Sequence, residues 1–196
     1  PEVVLNVNRG FSSPVHASPA SSVPTMTSSA MLALLAQHET DRVAQWVALR
    51  ALQARAIVLR AAWCSRPIDV RIVPPSQTLS MDACDELIAT YAFRFASGSV
   101  AGQDLLFPSL VELLKHASSN VDLGILSKAG RHVRRRVGTA LTQALKSAYD
   151  GEVQKRRSLP LEFDLAQRES RLLQNLCLAL LSFVEDPGEL EARCQT

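Results

Sequence analysis

The sequence predicts an all-α fold, a stack of antiparallel helical hairpins resembling a helical repeat, behind a disordered or extended N-terminal tail. Three observations carry this. Ala and Leu, both strong helix formers, supply most of the apolar content, while aromatic residues are only 5% of the 196. Long alternations of Val, Ile, Thr and Tyr, the mark of strands, are absent. Gly is sparse, at 8 residues, and apolar residues recur at helical spacing through most of the chain. A hydrophobic share of 47% against a charged share of 20% excludes a chain disordered throughout and suffices for a buried core.

Residues 1–29 read as a Ser/Pro-rich tail, because Pro1, Pro14, Pro19 and Pro24 forbid a continuous helix. Within it, "RGFSS" (Arg9 to Ser13) resembles the end of a mitochondrial presequence, which implies a transit-peptide remnant. A Ser-rich, acid-poor start also suits a bacterial type III secreted protein. Residues 30–186 form one helical domain, and residues 187–196 an acidic C-terminal tail.

The first helix is expected from Ser29 to Arg66 with a break near His38–Thr40, Thr40 acting as N-cap. Its second part is apolar almost all round, so it needs more than one neighbour. Arg42, Arg50, Arg55 and Arg60 do not share one stripe and read as snorkelling or ion-paired. Pro67, Pro74 and Pro75 make residues 66–77 a connector, with a short extended piece at Asp69–Val73. Ser80 is expected to cap a helix over Met81–Ala96, placing Asp82, Asp85 and Glu86 in its first turn. A helix over Leu105–Ala117 follows, tolerating Pro108 in its first turn. Asn120 then caps a nearly continuous helix to about Tyr149, with Gly151 as its stop. Pro160 precedes a last helix, Leu161 to Val184.

Charge is unevenly spread. The net charge is +2, yet Lys128 to Arg157 holds nine basic residues against two acids, leaving the rest of the chain acidic on balance. "GRHVRRRVG" (Gly130 to Gly138) is the sharpest local feature. On a helix, Lys128, Arg131 and Arg135 align one turn apart with Arg134 beside them, opposite Ile125, Leu126, Ala129, Val133 and Val137. Arg136 and His132 fall nearer the buried edge and need partners. A guanidinium row at turn spacing suits successive phosphates, and Lys155, Arg156 and Arg157 extend the patch if the chain folds back. The competing reading is a solvated face, or one paired with the acidic C-terminal helix.

No catalytic, metal or cofactor signature is present. Cys64, Cys84, Cys177 and Cys194 are mutually distant and share no zinc spacing with His16, His38, His116 or His132. There is no GxSxG elbow and no phosphate loop. The longest apolar run, Leu172 to Val184, is too short for a membrane span.

The stretch "DELIATYAFRFASGSVAGQDLLFPSLVELLKHASSNVDLGILSKAGRHVRR", about residues 85–136, resembles the helical repeats of FAST-kinase-like and heptatricopeptide proteins of mitochondria. The resemblance implies RNA work in the mitochondrial matrix. The expected function is therefore a non-catalytic structural subunit, foremost a lineage-specific mitochondrial ribosomal protein. It would present Lys128, Arg131, Arg134 and Arg135 to rRNA and contact neighbouring protein subunits. The alternatives are an accessory subunit of a respiratory or ATP synthase complex, its arginines on acidic subunits or a lipid surface, and a bacterial secreted effector or adaptor.

Overall fold

The computed structural model describes residues 28–65, 78–117, 122–157 and 165–185. Among these there are seven α-helices, one 3-10 turn and no strand. We number them α1 (Ser29–His38), α2 (Arg42–Cys64), α3 (Thr78–Ala96), α4 (Leu110–Leu114), α5 (Leu123–Ala140), α6 (Thr142–Arg157) and α7 (Leu165–Leu181). The 3-10 turn, Gly102–Leu105, lies between α3 and α4. The tail, the connector with its extended piece, Asn120 and the C-terminal acids lie outside the described residues.

The break between α1 and α2 falls where the sequence predicts it. Its cap is Asp41 rather than Thr40: the Asp41 carboxylate accepts from the Val43 N–H at 2.9 Å. Arg55 Nε donates to Ser29 Oγ at 3.0 Å, so α1 runs back along α2 as an antiparallel hairpin. As its all-round apolarity requires, α2 packs on α1, α3, α4 and α5. Leu49, Leu52 and Ile57 are sealed between them. At the other end, Arg156 of α6 meets Gln174 of α7 and Lys146 meets Glu185, which makes α6 and α7 a second antiparallel hairpin.

Several boundaries differ from expectation. Helix α3 begins at Thr78, so Ser80 lies inside it and Asp85 and Glu86 are beyond its first turn. The helix expected over Leu105–Ala117 is instead a 3-10 turn, an extended link and the five-residue α4. Pro108 disfavours helical backbone in the residue before it, and Ser109 restarts the helix in a reciprocal capping box with Glu112. Asp122 caps α5, accepting from the Gly124 N–H at 2.6 Å. The helix does not run straight to Tyr149 but breaks at Leu141 (φ −108°, ψ 15°), and α6 continues through Gly151 to Arg157.

One buried ion pair ties the first hairpin to α3 and the turn. Arg94 Nη2 donates to Asp104 Oδ2 at 2.7 Å, with side chains only 2% and 3% exposed. Arg94 also donates to the carbonyls of Ala36 and Ser99 and to Gln45 Oε1. The Ala101 N–H gives Asp104 a second donor. Beside it, Tyr91 Oη and Gln53 Nε2 both donate to the Asp104 carbonyl. Burial pushes the Tyr91 phenol well above its ordinary range, so it stays a donor. Gly102 lets α7 close on this turn: a Cβ there would lie 2.8 Å from Leu173 N.

Candidate docking surface

Helix α5 is the most sharply two-sided helix of the molecule. Leu126, Ala129, Gly130, Val133, Val137 and Gly138 are buried against its neighbours. Lys128, Arg131, His132 and Arg135 are exposed on the other side. Lys128, Arg131 and Arg135 form no ion pair or hydrogen bond with any described residue, so the acidic C-terminal helix does not neutralise them. At a rise of 1.5 Å per residue their row is about 10 Å long.

The remaining predicted cations have intramolecular roles. Arg134 leaves the row and lies half-buried with its guanidinium 5.2 Å from the Phe107 ring, a cation–π contact. Burial lowers its pKa. Arg136 finds the partner its position demands: Nη2 meets Asp85 Oδ1 of α3 at 2.7 Å. Lys155 pairs with Glu152 at 2.5 Å within α6. Arg156 reaches Gln174 Oε1 at 3.4 Å. Arg157 ends α6, and its side chain lies outside the described residues. Lys155 and Arg156 therefore belong to the α6–α7 hairpin rather than extending the α5 face.

An apolar row missed by sequence reasoning stands beyond Arg134. Leu106, Leu110, Val111 and Leu114 are all exposed, Val111 by 69%, while Leu113 anchors the short helix inward. The clue is "LLFPSLVELL": a helix cut to five residues by Pro108 cannot hide every leucine. Arg50 of α2 holds α4 in place by donating through Nη2 to both Glu112 oxygens at 2.8 Å, and through Nη1 to the Leu106 carbonyl. The Arg50 bonds, then those from Ser109, hold the Glu112 carboxyl down at about 2. Helix α4 packs on α5, so an apolar row and a basic row occupy neighbouring elements, with Arg134 on Phe107 at their border.

A cavity of about 710 Å³ opens between the end of α3 and α6. Small residues such as Ala92, Ala144, Ala148 and Gly151 line it, and its ionisable liners, Glu152 and Lys155, are paired with each other. Among the described residues Cys64, Cys84 and Cys177 are free thiols. Burial pushes the Cys177 thiol up to about 12 and raises that of Cys84. No group of three metal-ligating side chains is found among the described residues, and no described helix is long and apolar enough to cross a membrane.

Antiparallel helix pairs stacked on a shared core define a helical-repeat protein. Residues 29–196 match the family described as "Domain of unknown function (DUF3458_C) ARM repeats", and the chain belongs to that family. The repeat matched is thus of the ARM kind, where the sequence alone suggested a heptatricopeptide-like one. No curated protein matches the chain.

Proposed function

We propose that the chain is a non-catalytic docking module, a structural or accessory part of a larger assembly, that binds an acidic and partly apolar protein surface. The observation that carries this reading is the pairing of two unpartnered rows on neighbouring elements: Leu106, Leu110, Val111 and Leu114 beside Lys128, Arg131 and Arg135. Exposed aliphatic side chains grouped next to charge are the make-up of a protein-contact surface. The basic row adds steering toward an acidic partner. Non-catalytic work is further supported by the roles of the perturbed groups, since Tyr91, Glu112 and Cys177 are shifted by burial or by structural bonds. The other assemblies named from the sequence, respiratory, ATP-synthase or bacterial, would use the same contact.

A second reading keeps the α5 face for RNA, as a ribosomal subunit in the mitochondrial matrix. What favours it is the exposure of Arg131 and Arg135 one turn apart with no carboxylate partner, together with the resemblance of residues 85–136. Fluorescence anisotropy with two probes separates the readings: an amphipathic Glu/Leu peptide and a single-stranded oligoribonucleotide. The docking reading expects the peptide to bind, Arg131→Glu with Arg135→Glu to abolish binding, and Val111→Asp to weaken it. RNA binding that falls steeply with salt, without response to Val111→Asp, would replace it with the second reading. No binding of either probe would refute both.

A further inference from the structure

A second concentration of positive charge lies where α5 meets α2 and α3. Ile57 of α2 faces Gly130 of α5, since a Cβ on Gly130 would lie 3.9 Å from Ile57 Cγ2. One turn onward Arg60 comes alongside α5, and Arg60, Arg136 and Arg135 all act electrostatically on His132. Burial first, then these three cations, hold the imidazole below its ordinary pKa. Only Arg136 is answered by a carboxylate, Asp85 of α3. Arg60 and Arg135 have no acidic partner among the described residues, and Arg60 Nε is buried without a hydrogen-bond partner. A donor left in that state carries a desolvation cost that a bound acceptor removes.

We propose that this seam binds a phosphate-class anion, with Arg60 and Arg135 as its guanidinium ligands and His132 as the third donor. Guanidinium groups offer paired N–H donors that match phosphate oxygens. Three guanidiniums against the single carboxylate of Asp85 leave an excess of two positive charges, which a phosphate dianion balances. Donors converging from two helices suit a tetrahedral oxyanion. The same dianion relieves the repulsion around His132, so its imidazole takes up a proton on binding. The source is either free phosphate or a phosphoryl group on a docked protein. The proposal rests on the reading of α5 as a face for an anionic partner.

NMR of the imidazole resonances in the full chain tests it, with His132→Gln identifying the His132 signal. The probes are inorganic phosphate, a phosphoserine peptide and the same peptide without its phosphate. The site predicts a saturable shift of the His132 signal with the phosphorylated probes alone, and a rise in the pKa of His132 at saturation. Arg60→Gln weakens the affinity about tenfold or more. Arg135→Gln, on the exposed side, does the same and guards against misfolding of the Arg60 variant. Tighter binding of the phosphopeptide than of free phosphate assigns the anion to a protein partner, and equal or weaker binding assigns it to the free ion. A His132 signal unmoved by either phosphorylated probe overturns the proposal. If the Glu/Leu peptide still binds in that case, the docking reading stands; if it too fails to bind, both fall.

Discussion

Replacing Asp104 by Ala tests the reasoning at the most deeply buried charge. In the native fold Arg94 directs one donor at Asp104 Oδ2, 2.7 Å away, and the pair is almost wholly excluded from water. The substitution leaves the guanidinium buried with only neutral partners, the carbonyls of Ala36 and Ser99 and the Gln45 amide oxygen. Breaking one side of a buried pair costs about 3–5 kcal/mol, because the remaining charge is uncompensated. The bonds from Tyr91 and Gln53 go to the Asp104 backbone carbonyl and survive the change, so they do not add to the loss. That is a large part of the roughly 5–15 kcal/mol that keeps a domain folded. With a urea m-value of about 2 kcal/mol/M, the midpoint should fall by ~1.5–2.5 M. Urea unfolding followed by circular dichroism provides the measurement. A midpoint within about 0.3 M of the parent would refute the claim that this pair holds the turn to the first hairpin.

Gly138→Ala should destabilise by about 1–3 kcal/mol in the same assay, because its Cβ would sit 2.7 Å from the Leu180 carbonyl oxygen and backbone must move. Arg131→Glu with Arg135→Glu should leave thermal stability within about 0.5 kcal/mol of the parent, since neither side chain has an intramolecular partner, while abolishing binding of the acidic peptide. The Glu112 carboxyl is lowered from 4.5 to about 2. Its contribution to stability is therefore complete above its ordinary pKa and lost as pH falls from about 4.5 through about 2. Acid titration of the parent and of Glu112→Gln should show two stabilities that differ at neutral pH and converge across that window.

The helical class, the hairpin stacking and the two-sided character of α5 could all be read before any coordinates, because periodicity and composition report burial directly. The core positions Leu126, Val133 and Val137 follow from spacing alone. What could not be read were relations between distant residues. Nothing local marks Arg94 and Asp104 as a buried pair, since each sits among residues that suit a helix or a loop equally well. Arg134, Lys155 and Arg156 look like their exposed neighbours in the sequence, and only the positions of Phe107, Glu152 and Gln174 divert them. Boundaries failed where two capping residues competed, as with Thr40 and Asp41. The exposed leucines of α4 were misjudged because Pro108 was allotted to a first helical turn that the chain does not form.

The interruption at Leu141 has an evolutionary corollary. It converts what would be one long rod into two short ones, and the hydroxyl of Thr142 seals the joint by donating to the Gly138 and Thr139 carbonyls. Substitutions in Lys155 or Arg156 then alter the hairpin formed with α7 and leave the ridge from Lys128 to Arg135 as it was. Each surface is free to drift, or to be selected, without dragging the other along, so family members should vary in charge on one side of the joint independently of the other.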